Sequence, residues 1–598
     1  MKNQNPPFEI GLVMAGAVSA GAYTAGVMDY LLEVLETWQK EKDNGNTDVP
    51  QHDVLIKVMT GASAGGMTTA ITIAELFRNK NTPPKKDEEN PSLIYQAWVK
   101  KIDITKLLRT TDLDYSNNIK SLFDSTAIDA IANEVINPEN PPEWKPIPYI
   151  DPQLKLYLTL SNLRGLPYEF KLKGQTGFPY GMTDHSDYQF VTVCKETSKP
   201  DWTKLRNAAV ATGAFPVGLA SRLIERDTDE YKMRIAKDGR DISGLMKLNS
   251  NQNQPYNFVA VDGGTLNNEP LELARSVWER FTEEEKAQIT SYEKLEEMRA
   301  KMRTRLELES KKYALLLIDP FPDLADIGKN ATETDTDLIN IVGPIIGALR
   351  AQSLFKMEEL LRAGDEGSND RYLISPIRYT ETNTKAANAI ACGFFGGFGG
   401  FLAEEFREHD YLLGRRNGQR FLDRYFAFTL KEAKEKGWDI KKEYVFLQND
   451  IEYYPIIPIV KNSICAEPQG EKNIWPTYSR KRANDLKDGL TVRVRSVMKR
   501  VLPFGWVGQK WITWALIALT LLIVSGEFVK VAMLETELPV LVNGLKNNYI
   551  LILQIILLLL LVILLVLRIG KWAIERKIVN TAYAMFLRQV NDWGIKLD

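Results

Sequence analysis

The chain has 598 residues, 44% of them hydrophobic and 25% charged, with a net charge of −2. These values fit a globular protein of two to four domains, or one large domain with appendages, argue against a disordered chain and give no whole-chain basis for binding nucleic acid. Cys194, Cys392 and Cys465 are far apart and odd in number. Neither a disulfide framework nor metal-ligand spacing follows, so a reducing compartment and no cofactor are expected.

Phe8 to Met14 reads as a short buried strand entering a glycine/alanine turn, and Gly21 to Leu35 as a packed helix ending near Trp38. After the polar loop Lys40 to Gln51, a second apolar run (Val54 to Met59) leads through Thr60 into the turn Gly61–Gly66. Met67 to Phe77 is then helical in pattern. Leu154 to Leu160 and Gln189 to Val193 alternate as strands. Leu205 to Thr212 is a helix of mostly small residues followed by Gly213-Ala214-Phe215-Pro216, and the strand Tyr256 to Val261 runs straight into Asp262-Gly263-Gly264. Alternating strands and helices indicate an α/β layer with a mostly parallel sheet.

Phe281 to Glu309 is highly charged, with Leu295, Met298, Met302 and Leu306 near helical spacing, and is expected as a solvated helical arm. Tyr313 to Ile318 and Tyr372 to Ile377 are later strands, separated by a helical stretch around Leu338 to Leu361. The run Gly393 to Gly400 holds Phe394, Phe395 and Phe398 and reads as a close-packed turn rather than a lipid-facing lip.

Near the end, Tyr549 to Leu567 is nineteen residues long with Gln554 its only strongly polar side chain, enough to cross a hydrocarbon core of ~30 Å. Trp511 to about Leu534 is a second candidate, although it contains Glu527 and Lys530. Basic residues flank the pair (Arg493, Arg495, Lys499, Arg500 and Lys510 before; Arg568, Lys571, Arg576 and Lys577 after). The expectation is a transmembrane hairpin with spans near 511–534 and 549–568, a multi-pass membrane protein whose large N-terminal part faces the cytoplasm. Leu490, Val494, Val497 and Val501, with Arg493, Arg495, Lys499 and Arg500, read either as an interfacial helix beside anionic head groups or as topology-setting charge. The domain expectation is a core over 1–275, a charged arm over 276–310, an α/β extension over 311–480 and a membrane-anchoring region over 485–598.

A serine hydroxyl needs an adjacent base to become a nucleophile and donors aimed at the developing oxyanion. Gly61-Ala62-Ser63-Ala64-Gly65 between strand and helix answers part of this: Gly61 and Gly65 permit a tight elbow that thrusts Ser63 outward at a helix N-terminus. Of the three histidines, His52 lies before the elbow strand, His185 in a polar loop and His409 near a helix end, and none has the setting of a catalytic base. Asp262 ends an apolar strand, and Gly263 and Gly264 give its carboxylate room to approach another loop. A partly desolvated carboxylate can orient a serine and accept its proton. The bland alternative is that Asp262 caps the helix near Asn268 or belongs to a simple turn.

Four features in order resemble the patatin-like phospholipase family: the glycine turn and helix Gly16 to Val27, the Ser63 elbow, Ala208 to Pro216, and Asp262-Gly263-Gly264. The resemblance covers roughly residues 8–275 and weakens through Gly414; Phe406 to Asn417 is similar to bacterial members with extended C-terminal regions. It implies a three-layer α/β/α core with a mostly parallel sheet, an acyl-enzyme on Ser63, Asp262 as base, and an oxyanion hole from Gly16, Ala17 and Val18. The family pattern of three glycines, a variable residue, a basic residue and a glycine is reduced here to Gly16-Ala17-Val18-Ser19-Ala20-Gly21, without two glycines and the cation. The expected function is a membrane-anchored serine lipase or phospholipase acting on membrane lipid. The alternatives are a lipid transacylase and a catalytically silent scaffold, and oligomeric state is left open.

Overall fold

The computed structural model describes residues 6–78, 92–114, 118–139, 145–173, 179–194, 201–235, 243–248, 255–279, 281, 283–309, 313–322, 348, 349, 351, 352, 354, 356, 357, 359, 371–379, 382, 384–461, 475–501 and 570–597. The chain divides into two compact units, 1–106 with 125–477 and 107–124 with 478–598.

In the first unit, strands β1 (Phe8–Met14), β2 (Val54–Gly61), β3 (Ile150–Phe170), β4 (Tyr180–Cys194), β5 (Arg222–Arg226), β6 (Tyr256–Asp262), β7 (Tyr313–Ile318) and β8 (Arg371–Ile374) form one sheet. Its order is β5-β6-β3-β2-β1-β7-β8, with β4 on β3. The run β3-β2-β1-β7-β8 is parallel, while β4 and β6 pair antiparallel with β3, and β5 with β6. β1 is apolar almost throughout because helices cover both faces of the sheet and leave it no wet side. One face carries helices α1 (Gly21–Asp43), α2 (Ala64–Phe77) and α3 (Trp202–Thr212); there Thr69 of α2 meets the Met14 sulfur at 3.5 Å. On the other, Val13, Val58, Tyr157 and Leu315 pack with Leu271, Val277, Phe281 and helix α4 (Tyr292–Glu309).

That packing corrects one expectation. The charged segment is not a solvated arm: Phe281, Ile289, Leu295, Met298 and Met302 are buried in this core. Each such side chain contributes roughly 1.5–3 kcal/mol when fully buried, enough to hold the helix down. Its charges pair with one another along the outer face, as in Lys294–Glu297 and Arg299–Glu296.

Further along, helix α5 (Glu404–Arg424) packs on α1, where Gly26 and Gly414 let the backbones approach; a Cβ on Gly26 would lie 1.9 Å from the Tyr411 carbonyl oxygen. A small sheet of β9 (Ala427–Thr429), β10 (Phe446–Gln448) and β11 (Ile451–Pro455) follows.

In the second unit, helix α6 (Arg480–Val501) turns Arg493 inward, 2% exposed. Its guanidinium forks onto Asp112 at 2.5 and 2.8 Å and also donates to the carbonyls of Arg109, Ser121 and Leu122. Arg493 is thus an internal clamp on residues 107–124 and not a head-group ligand. The fold expectation also needs a correction: the transmembrane hairpin is not supported. Among the described residues no helix is long and apolar enough to cross a membrane, and α6 carries charges along its whole length. The stretches 511–534 and 549–568 lie outside the described residues. What stands is the α/β core with its mostly parallel sheet.

Candidate functional site

The elbow forms where β2 ends and α2 begins. Ser63 takes φ 50° and ψ −124°, outside the regions favoured by a residue with a Cβ. The glycines around it are needed for space. A Cβ on Gly65 would sit 2.1 Å from the Met14 carbonyl oxygen, and one on Gly61 2.5 Å from the Gly65 carbonyl oxygen. Such strain persists only where the surroundings over-determine it. Here the Ser63 N–H donates to Thr212 Oγ1 at 2.9 Å, and the Met67 N–H takes the Ser63 carbonyl at 3.0 Å.

Asp262 reaches Ser63 through the register of β3, which pairs with β2 and β6 in succession as well as with β4. Gly61 of β2 pairs with Leu158, while Asp262 of antiparallel β6 pairs with Leu160. The ends of β2 and β6 therefore arrive two residues apart on the same strand. The Ser63 hydroxyl donates to Asp262 Oδ2 at 2.6 Å, with both residues buried at 7% and 4% exposure. The other oxygen, Oδ1, accepts the Gly264 N–H at 2.7 Å. Asp262 thus caps the short 3-10 turn Gly263–Thr265 with one oxygen and holds the serine with the other. Its backbone is pinned as well: its N–H donates to Ala214, and its carbonyl accepts the Ser161 hydroxyl at 2.8 Å. Gly263 passes so close to β3 that a Cβ would lie 2.1 Å from the Thr159 carbonyl oxygen.

The predicted oxyanion loop lies beside this pair. A Cβ on Gly16 would come within 3.0 Å of Ser63 Cβ and 2.4 Å of Asn268 Oδ1. Asn268 ties the loop to the turn after Asp262, its carbonyl accepting the Gly16 N–H at 3.3 Å and its side-chain amide donating to the Gly16 carbonyl at 3.4 Å. Val18 has φ 50°, a costly conformation for a β-branched residue. Among the described residues, the Ala17 and Val18 N–H groups donate to no acceptor.

All three histidines are engaged elsewhere. His52 is buried, stacks on Trp438 at 3.8 Å and bonds the Ile456 carbonyl at 2.8 Å; burial lowers its pKa to about 4. His185 lies in β4 rather than a polar loop and bonds the Asn162 carbonyl at 2.7 Å, and His409 in α5 bonds Asp410 at 2.7 Å. Among the described residues, no group of three or more His, Cys, Asp or Glu is placed to hold a metal ion.

Sequence reasoning placed Ser63, Asp262, the elbow glycines, Gly263, Gly264 and the loop 16–18 in one neighbourhood, and the structure brings them together. It overlooked Thr212, Ser161 and Asn268. Thr212 sat within a recognised motif, whereas a lone Ser161 or Asn268 carries no local signal.

Residues 12–275 match the family model described as patatin-like phospholipase. A protein of Sinorhizobium fredii titled "Uncharacterized protein y4iI" is 31% identical over 529 residues, spanning 77% of this chain and 72% of its own length. The crystal structure of VipD from Legionella pneumophila aligns over 70% of this chain and 67% of that one at 12% identity, with a TM-score of 0.25 that carries no argument. The family suggests a lipid acyl hydrolase. By its matched domain and the four ordered motifs within it, the chain belongs to the patatin-like phospholipase family.

Proposed function

We propose that this chain is a lipid acyl hydrolase that works through a Ser63–Asp262 dyad. The observation that carries this reading is the 2.6 Å hydrogen bond from the Ser63 hydroxyl to Asp262 Oδ2 at a strained elbow, with every histidine occupied elsewhere.

Ser63 Oγ attacks the ester carbonyl carbon while its proton passes to Asp262 Oδ2. The carbonyl oxygen gains negative charge beside the loop 16–18, whose Ala17 and Val18 N–H groups have no other acceptor among the described residues. The ester C–O bond then breaks, and Asp262 returns the proton to the departing alcohol. Water attacks the acyl-Ser63 carbonyl and gives its proton to Asp262. The acyl–Ser63 bond breaks, Ser63 takes the proton back, and the carboxylic acid leaves. Preorganised donors at such an oxyanion are each worth ~2.7–4 kcal/mol, so a loop without its cation still stabilises the transition state through its backbone. Beside the elbow helix lies a small apolar pocket of about 30 Å³ lined by Met67, Ile71, Trp98, Ile128, Val135 and Val210.

The test is a fluorophosphonate serine probe. Wild-type protein is expected to be labelled at Ser63, and Ser63→Ala not at all. A folded wild-type protein that stays unlabelled would sink the reading. Release of free fatty acid from phospholipid vesicles then tests the substrate class.

A further inference from the structure

Ala17 and Val18 of the loop 16–18 are not glycines and do not adopt its conformation freely, yet Val18 stands at φ 50° beside the nucleophile. What holds it comes from a distant part of the chain. The Ser19 N–H donates to the Gly397 carbonyl at 3.0 Å, and the Ser19 hydroxyl donates to the same carbonyl. That hydroxyl also accepts the Gly400 N–H at 2.9 Å. Gly397 presents its carbonyl at φ 95°, a conformation open to glycine. At Gly400 a Cβ would lie 2.8 Å from Ser19 Oγ and 2.4 Å from the Cys392 sulfur.

This second loop is itself clamped by α5. Arg407, 1% exposed, donates to the Gly400 carbonyl at 2.6 Å and to the Val99 carbonyl at 2.8 Å. Asp410, fully buried, accepts the N–H groups of Ala391 and Cys392 at 2.7 and 2.8 Å. A buried guanidinium on two carbonyls is rigid, because releasing either leaves a desolvated polar group. The frame thus runs from α5 through residues 391–400 to Ser19, and from Ser19 to the loop beside Ser63.

We propose that Ser19 and Arg407 are positioning residues of the acyl-transfer site: by clamping Gly397 and Gly400 they hold Val18 at positive φ and aim the loop's N–H groups at the developing oxyanion. This inference rests on the reading of Ser63 and Asp262 as the acyl-transfer pair. The frame takes over a task that glycines perform when the loop has them, and it makes the run Gly393–Gly400 part of the site's support.

The experiment measures kcat and KM for p-nitrophenyl butyrate, and the rate of fluorophosphonate labelling, on the full chain. Ser19→Ala is expected to lower kcat and the labelling rate roughly tenfold to hundredfold with little change in KM, because a lost oxyanion donor acts in the transition state. Adding Val18→Gly, which adopts positive φ without strain, is expected to recover most of that loss. A merely structural role for Ser19 would not be relieved in this way. Should Ser19→Ala unfold the protein, Arg407→Lys, which keeps the charge but not the two-carbonyl fork, is expected to show the same kcat loss and the same relief. An active wild type whose folded Ser19→Ala or Arg407→Lys variant keeps kcat within twofold overturns the inference, as does a loss that Val18→Gly does not relieve. A wild type that neither hydrolyses the ester nor labels at Ser63 overturns the acyl-transfer reading, and this inference with it.

Discussion

Replacing Asp262 with asparagine changes the chemistry of one contact while keeping its shape. The amide oxygen can still accept the Gly264 N–H, which donates to Oδ1 at 2.7 Å. The amide NH2 then faces Ser63 Oγ across the 2.6 Å contact, with a donor where the hydroxyl now finds an acceptor. The serine proton has nowhere to go. A positioned general base contributes on the order of 10²–10⁴-fold in rate, or ~2.7–5.4 kcal/mol at 1.36 kcal/mol per factor of ten. The lost hydrogen bond to a charged group costs at most about 3 kcal/mol of stability, so the variant is expected to fold. Measuring kcat for p-nitrophenyl butyrate and the fluorophosphonate labelling rate, with circular dichroism as the folding control, decides the matter. Both rates are expected to fall at least a hundredfold. A folded Asp262→Asn protein retaining kcat within threefold of wild type would refute the dyad.

Acid is expected to weaken the first unit through His52. Its Nε2 bonds the Ile456 carbonyl, while Nδ1 has no partner among the described residues, so protonation would bury a charge among Trp38, Trp438 and Tyr454. The folded pKa of about 4 lies below the unfolded value of 6.5. The unfolded chain therefore binds this proton first, and the stability present above pH 6.5 is lost as pH falls towards 4. At 1.36 kcal/mol per pKa unit the loss is about 3 kcal/mol; urea unfolding at pH 7.5 and 4.5 should show it in wild type and not in His52→Phe, and equal slopes would refute it. Gly65→Ala puts a Cβ 2.1 Å from the Met14 carbonyl oxygen and 2.7 Å from that of Ala15, both backbone atoms at the entry to the loop 16–18. Overpacking of this kind costs roughly 1–3 kcal/mol, and loss of Ser63 labelling is expected beside a lowered Tm. Wild-type values for both would contradict the close approach.

The elbow was legible because its signals are local. Glycines spaced around Ser63 between an apolar run and a helical pattern allow few conformations, and Asp262-Gly263-Gly264 after a strand has the same economy. The charged segment 281–309 misled because charge counts exposed positions, whereas Leu295, Met298 and Met302 share the buried side of α4 and need a partner surface to be recognised. Arg493 misled for a similar reason: a basic side chain in a basic run carries no mark that Asp112 waits for it inside the fold. The transmembrane hairpin was read from hydropathy alone; the described helices do not include one that could cross a membrane.

The residues proposed for the chemistry, their order and the turn at Ser63 were determined by the sequence itself, since each depends on neighbours a few positions away. Tertiary structure alone decided how they meet. The register of β3 sets Asp262 against a serine 199 residues earlier, and a carbonyl 378 residues from Ser19 shapes the loop beside it. Contacts at such separations depend on how whole strands and helices pack, and no short window of sequence contains that packing.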